Sequence, residues 1–213
     1  MRISELIEKR VKDILARQEE AKGQNSSGNY YIQTEEVIRS ELQEKISKVP
    51  ERFKDAEIDE VTHAKIKKVF AEKKGCYFYG TAGTGKTHLL YGLLKFLRIS
   101  GYSCNIWNLP DQLAYFRTKY SEKGGGEEDI DHELKEKGVL LIDDFGAEKQ
   151  TEWNTEIMYR LINFRYENML PTFFASNLSI QELADRSGDR LASRIVEMCE
   201  VVEIGGKDRR VKE

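Results

Sequence analysis

The stretch YFYGTAGTGKTHLL, from Tyr77 to Leu90, decides the fold of this chain. An apolar run leads into three glycines, Gly80, Gly83 and Gly85, and a lysine and a leucine-rich stretch follow directly. Glycines leave room for a ligand beside the backbone, and a helix that starts behind them offers its free N–H groups to that ligand. The stretch therefore predicts a strand, a glycine-rich loop and a helix in immediate succession.

The loop matches the phosphate-binding pattern GxxxxGK[ST]. Lys86 would neutralise the terminal phosphates of a nucleotide, and the hydroxyl of Thr87 would coordinate Mg²⁺, so we expect ATP and Mg²⁺ as cofactors. A glycine-rich turn without a ligand is the alternative, and the flanking strand and helix patterns disfavour it. The expected nucleotide contacts are Gly80, Thr81, Ala82, Gly83, Thr84, Gly85, Lys86, Thr87 and His88.

The composition limits the class of protein. The 213 residues suffice for one domain with a small appendage and need no disulfides to bury a core. Lys and Arg number 34 against 37 Asp and Glu, and this net charge of -3 excludes a protein that coats nucleic acid by bulk charge. A charged N-terminus and no run of about 18 apolar residues predict a cytoplasmic protein without a membrane span. Cys76, Cys104 and Cys199 lack zinc-site spacing and are expected to be reduced core thiols.

From Cys76 onward, short apolar runs alternate with longer amphipathic stretches. This alternation predicts an α/β domain with a central parallel five-stranded sheet flanked by helices. The predicted strands are 76–79, 103–107, 139–143, 172–176 and 200–204, and the predicted helices are 87–99, 111–120, 152–168 and 180–185. Ser179 and Glu182 form a capping box before the last of these helices. The polar segment 121–129 is predicted to be a surface loop.

The N-terminal part has a different pattern. Residues 3–15 carry apolar side chains at helical spacing, and a second helix is expected from Thr34, as its cap, to about residue 48, before Pro50. The polar stretch 22–29 between them has the composition of a linker. We therefore expect a separable helical region at 1–48, which would bind a partner, and an ATPase domain at 49–213.

Polar side chains follow two of the predicted strands. Asp143 and Asp144 end VLLIDD, and Asn177 ends FFASN. Because ligands bind at the carboxyl ends of parallel strands, Asp143 would hold Mg²⁺, while Asp144 and Asn177 would act on the attacking water and the γ-phosphate. The alternatives are a solvated strand end and an ordinary turn asparagine. Positive charge would stabilise the transition state of phosphoryl transfer. The candidates downstream are Arg190, Arg194, Arg209 and Arg210.

The glycine-rich loop, LLIDDFGAE, FFASN and GDRLASR, in this order and at these separations, resemble an AAA+ ATPase of the DnaC/DnaI helicase-loader family. The similarity runs from about residue 49 to residue 210. It implies an AAA+ core that assembles with copies of itself through ATP sites at subunit interfaces, contacts single-stranded DNA and delivers a replicative DNA helicase. A transposition helper of the IstB type shares the same core and is the alternative, with a transposase as its partner.

The resemblance implies a role for each matching residue. Lys86 and Thr87 match Walker A, Asp143 and Asp144 match Walker B, and Asn177 matches sensor one. Many members have Glu in place of Asp144, and the shorter side chain implies a slow ATPase.

The arginines are assigned by the same resemblance. Arg194 matches the arginine finger that acts on a neighbour's nucleotide, and Arg210 matches sensor two. Arg190 and Arg209 remain alternative candidates for these two roles.

Two further surfaces are implied by position in the family. The segment 49–59 is similar to the lead-in where adenine is held, so Phe53 and Ile58 are candidates for a base pocket, with burial in the core as the alternative. A basic and aromatic cluster is suited to contact single-stranded DNA, and the alternative is that Tyr115 and Phe116 pack on the sheet while the lysines are solvated. Its members are Tyr115, Arg117, Lys119, Tyr120 and Lys123. The N-terminal region lacks the cysteine and histidine zinc site of DnaI-type loaders, which leaves the protein partner open.

Overall fold

In the computed structural model, residues 2–24, 33–121, 127–206 and residue 208 are described. Within these residues, five strands form one sheet. They are β1 (Gly75–Tyr79), β2 (Cys104–Asn108), β3 (Val139–Phe145), β4 (Thr172–Ser176) and β5 (Cys199–Glu203). Their order in the sheet is β2, β3, β4, β1, β5, and every neighbouring pair is parallel. The predicted parallel five-stranded sheet is therefore confirmed.

Helices cover both faces of this sheet. On one side lie α1 (Ile3–Gln24), α2 (Glu35–Ser47), α3 (Glu60–Ala71) and α4 (Lys86–Ile99). On the other lie α5 (Leu109–Ser121), α6 (Glu127–Leu134), α7 (Glu152–Glu167), α8 (Ile180–Ser187) and α9 (Asp189–Met198). Strand side chains alternate between the two layers: Cys76 and Phe78 of β1 face the first, and Tyr77 faces the second. Both faces are apolar because both are covered.

Three helices in the structure, α3, α6 and α9, were not predicted from the sequence pattern. α3 contains several β-branched residues, which weaken its helical signal, and Asp59 caps it by accepting the N–H of Thr62 at 2.8 Å. α6 begins at Glu127, inside the segment 121–129 that was predicted to be a loop. In α9, Leu191 and Ile195 supply a buried stripe at a spacing of four residues between charged side chains.

The N-terminal helices belong to the same hydrophobic core as α4. Leu6 and Val11 of α1 and Ile38 and Leu42 of α2 are buried in the cluster that contains the leucines of α4. We expected a region that is separable from the domain. Instead, the apolar stripes of both helices pack against the domain and are buried there. Most of the predicted linker lies outside the described residues. No described helix combines the length and the apolar character that a membrane crossing requires.

Candidate nucleotide site

The loop between β1 and α4 has the backbone geometry of an anion cradle. Gly83 and Gly85 have φ angles of 82° and 99°, a region that glycine adopts without strain. Gly85 is the N-cap of α4 and makes no side-chain cap hydrogen bond. The N-cap position of α4 therefore contributes no side chain to the loop, which leaves space for phosphate recognition at this helix N-terminus, and the carboxylate of Asp208 lies against Gly83 of the same loop.

Lys86 is folded back against this loop. Its ammonium group donates hydrogen bonds to the carbonyl oxygens of Gly80 at 2.7 Å and Thr81 at 2.8 Å. The residue is only 7% exposed, so its positive charge is held at the cradle and not in solvent. A phosphate oxygen would be a stronger, charge-assisted acceptor than either carbonyl.

Thr87 and Asp143 meet beside the cradle. The hydroxyl of Thr87 donates a hydrogen bond to Oδ1 of Asp143 at 3.1 Å. Burial raises the pKa of Asp143 to about 6, and the neighbouring charge of Asp144 adds to this effect. A buried, destabilised carboxylate next to a hydroxyl fits Mg²⁺, which prefers oxygen ligands. Among the described residues no group of three or more His, Cys, Asp or Glu could hold a metal, so nucleotide phosphates and water would complete the coordination.

Asp144 projects from an irregularity in the sheet. The register between β3 and β4 shifts between Ile142 and Phe145, and Asp144 has a φ of 53°, which aspartate tolerates better than most residues. Its carboxylate accepts a hydrogen bond of 2.9 Å from the side-chain amide of Asn108, the last residue of β2. Sequence reasoning missed Asn108, although a polar residue at a strand end is the same signal that identified Asn177.

Asn177 follows β4, which lies between β1 and β3 in the sheet. It is exposed and opens into the same cleft as the loop and both aspartates. The cleft has a volume of about 820 Å³. Its lining includes Ala82, Gly83, Gly85, Lys86, Thr87, His88, Asp143, Asp144 and Asn177. The structure thus brings these sequence-predicted residues together.

A second group of residues forms the aromatic end of the cleft. The rings of Phe53 and Tyr91 stack with centroids 4.3 Å apart, and His88 meets Phe53 edge-on at 6.3 Å. Lys95 fixes the lead-in segment on α4 by donating to the carbonyl of Lys54 at 2.7 Å. Phe53 lines the cleft, whereas Ile58 is 3% exposed and belongs to the core. Tyr91 was not anticipated, because it looks like an ordinary core position of an amphipathic helix.

The loops behind Asp144 and Asn177 are tied together. The buried carboxylate of Glu148 accepts the N–H of Gly146 at 2.9 Å, and burial raises its pKa. The hydroxyl of Ser176 donates to the carbonyl of Phe145 at 2.6 Å. These contacts hold the ends of β3 and β4 in a fixed relation, so the side chains that follow them are well positioned.

The arginine candidates lie elsewhere. Arg194 of α9 contacts α7 and does not line the cleft of its own chain. Arg190 is exposed at the start of α9. Arg209 and Arg210 lie outside the described residues, so the sensor-two assignment stays a prediction.

The cluster predicted to contact DNA is engaged in internal contacts. Lys119 pairs with Glu133 at 3.1 Å and lies over the ring of Tyr115. Arg117 lies 5.2 Å from the ring centroid of Trp153. Tyr120 is 55% exposed, and Lys123 lies outside the described residues. Tyr115 is 44% exposed and Lys119 is ion-paired, so these two residues neither pack on the sheet nor are left to solvent alone, whereas Phe116 is buried.

Comparison with known proteins agrees with the geometry in indicating an ATP-binding protein. The model of the family of IstB-like ATP-binding proteins matches residues 51–213. The replicative helicase loader DnaI of Bacillus subtilis (strain 168) is 31% identical over 150 residues, which cover 64% of this chain and 48% of DnaI. The chain spans about half the length of the curated relatives that it matches.

Two solved structures have the same fold. A crystal structure of DnaI is 26% identical with a TM-score of 0.58, over 81% of this chain and 93% of that one. A crystal structure of the DnaC helicase loader is 24% identical with a TM-score of 0.61, over 73% of this chain and 99% of that one. The AAA+ architecture implied by the motifs is thereby confirmed.

Proposed function

Because the chain belongs to the family of IstB-like ATP-binding proteins, we propose that it is an ATP-hydrolysing loader of a replicative DNA helicase. The observation that carries the ATPase is the convergence of Lys86, Thr87, Asp143, Asp144 and Asn177 on one cleft of about 820 Å³. The similarity to DnaI and DnaC supports the choice of partner.

Each residue of the cleft has a proposed task. Lys86 exchanges its carbonyl partners for phosphate oxygens, and Thr87 and Asp143 hold Mg²⁺, which supplies charge neutralisation when it is bound. Asp144 orients the attacking water and takes its proton, with Asn177 beside it. The base is held at the aromatic end formed by Phe53 and Tyr91.

Arg194 acts on the nucleotide of a second copy of the chain in this proposal. Its absence from the cleft of its own chain supports action between subunits, because a guanidinium must reach the γ-phosphate to stabilise the transition state. Self-assembly through the ATP sites is therefore part of the proposed function. Arg210 is proposed as sensor two by its position in the family pattern.

The proposed division of the chain is a partner-binding region at 1–48 and an ATPase domain at 49–213. Since the apolar faces of α1 and α2 are buried in the core, a partner would contact their exposed polar faces. Single-stranded DNA is proposed as a further ligand, and Lys119 would then exchange Glu133 for a phosphate. A transposase is the alternative partner, because the matched family is named after IstB.

Two experiments test this function. Calorimetry with ATP and Mg²⁺ on Lys86→Ala should show a loss of affinity, whereas Lys12→Ala, an exposed lysine on α1, serves as the matched control. Unchanged affinity in Lys86→Ala would disprove the assignment of the phosphate loop.

The partner is tested with the purified replicative helicase of the source organism. ATP-dependent helicase loading onto circular single-stranded DNA, measured by strand displacement, is expected with the wild-type chain and not with Lys86→Ala. If the chain instead leaves loading unaffected but stimulates strand transfer by a transposase, the alternative partner is correct.

A further inference from the structure

The guanidinium group of Arg194 is enclosed by three side chains of α7. Its Nε donates a hydrogen bond of 2.9 Å to Oδ1 of Asn163. Its carbon Cζ lies 5.0 Å from the ring centroid of Tyr159 and 5.7 Å from that of Tyr166. Because Tyr159, Asn163 and Tyr166 are spaced four and three residues apart, they share one side of α7. We call these three residues the α7 cage.

The cage leaves one edge of the guanidinium available. Of the five N–H groups of Arg194, Nε–H is taken by Asn163, and Nη1 donates to the carbonyl of Arg190 at 3.0 Å. Among the described residues no acceptor binds Nη2, and no carboxylate forms an ion pair with Arg194. The side chain is therefore oriented without an ion-pair partner among the described residues.

Two acidic side chains that contact the cage have other partners. The hydroxyl of Tyr166 donates to Glu197 at 2.8 Å, and this hydrogen bond raises the pKa of Tyr166. The amide nitrogen of Asn163 donates to Glu167 at 2.8 Å, which leaves the amide oxygen facing Arg194. Glu197 and Glu167 thus orient the cage instead of neutralising the arginine.

An open groove borders the cage at Tyr159. It has a volume of about 900 Å³ and runs between the first half of α7 and the junction of α8 and α9. Arg186 and Arg190 also line it. A segment of another molecule can therefore approach this side of the domain through the groove, which Tyr159 of the cage and the two arginines line.

We propose that Tyr159, Asn163 and Tyr166 are positioning residues that preorganise Arg194 for a phosphate group of the nucleotide bound to a second copy of this chain. The proposal rests on the proposed action of Arg194 between subunits. A free arginine side chain loses rotamer freedom when it binds, and a caged one has lost that freedom already. The cage is expected to act through the orientation of Arg194 and not through the nucleotide affinity of its own chain.

A mixing experiment separates these effects. Arg194→Ala keeps an intact phosphate loop, and Lys86→Ala keeps an intact Arg194, so a mixture of the two should recover ATPase activity that neither has alone. Asn163→Ala is then added either to the Lys86→Ala chain, which donates the arginine, or to the Arg194→Ala chain, which binds ATP. Placement on the donor should lower the recovered rate about fivefold, the value of one hydrogen bond, and placement on the acceptor should not.

Control variants and separate measurements detect a loss of folding. Asn168→Ala removes an exposed amide from the end of the same helix, where it donates to the carbonyl of Phe164, and it should leave the recovered rate unchanged in either chain. Tyr159→Leu provides a second test on the donor that keeps the apolar bulk of the cage. Calorimetry and thermal unfolding of each chain report ATP affinity and folding separately.

The outcomes distinguish the two proposals. If the parental mixture recovers no activity at any ratio, action between subunits is wrong and the positioning role falls with it. If the parental mixture recovers activity but Asn163→Ala and Tyr159→Leu have no effect on the donor, or equal effects on donor and acceptor, only the positioning role is overturned.

Discussion

The hydroxyl of Thr87 donates a hydrogen bond to Asp143 at 3.1 Å and so joins the first turn of α4 to the end of β3. The two residues stand 56 positions apart in the chain. Their meeting brings the proposed metal ligands to the rim of the phosphate cradle.

Asp143→Asn should make the nucleotide-free protein more stable and abolish its Mg²⁺-dependent ATPase. Asp143 is 7% exposed with Asp144 beside it, and a buried charge near a like charge opposes folding. We expect the free energy of unfolding to rise by about 2 kcal/mol at pH 7, as in other sites where function costs stability. Urea unfolding without nucleotide measures this, and a lower midpoint in the variant would contradict the argument.

Asn108→Ala should lower the turnover number about tenfold without weakening ATP binding. The change removes the hydrogen bond that orients the carboxylate of Asp144, and orientation contributes to the chemical step more than to substrate binding. Asn105→Ala is the matched control, because Asn105 lies on the same strand but its amide donates to Glu136 outside the cleft. Equal effects of the two substitutions on kcat would exclude a role for Asn108 in orienting Asp144.

Phe53→Ala should weaken ATP binding about tenfold while inorganic triphosphate binds as before. The ring stacks on Tyr91 at the wall of the cleft formed by the lead-in segment and α4, so its loss should affect the binding of a base more than that of the phosphates. Competition calorimetry with the two ligands measures the difference. If the affinities for ATP and for triphosphate fell equally, Phe53 would support the structure of the whole cleft and would not bind the base specifically.

His63 should make the packing of α3 sensitive to acid. Its Nε2 atom is buried without a hydrogen-bond partner among the described residues, and its ring meets Phe96 edge-on at 4.9 Å. Burial lowers its pKa below the usual 6.5, with the charges of Lys67, the N-terminus and Lys9 acting in the same direction and Glu60 against them.

The sign follows from which state binds the proton first. Because the unfolded chain protonates His63 near pH 6.5 and the folded chain only at lower pH, its contribution to stability is complete above pH 6.5 and is lost as the pH falls below it. Thermal unfolding of wild type and His63→Leu between pH 7.5 and 5.5 should show a smaller decrease in the variant. The same decrease in both proteins would rule out His63 as the source.

The phosphate loop and the strand-end residues could be predicted from sequence because their signals are local. Glycines at 80, 83 and 85 with Lys86 and Thr87 specify a cradle within eight residues, and the capping box of Ser179 and Glu182 was confirmed in the structure. Alternation of apolar runs predicted four of the strands to within one residue at each end. The third, β3, is longer than predicted because it continues through the irregularity at Asp144.

The sequence by itself determined that this chain has a phosphate-binding loop in a parallel α/β domain, because periodicity and loop chemistry act over a few residues. Only the tertiary structure decided which distant side chains meet. Asn108 reaches Asp144 across 36 positions, Arg194 enters a cage on α7, and α1 and α2 join the core. The physical reason is that such contacts depend on strand order and helix packing, which bring together residues that lie far apart in the chain. The sequence pattern around one of these residues does not indicate its distant partner.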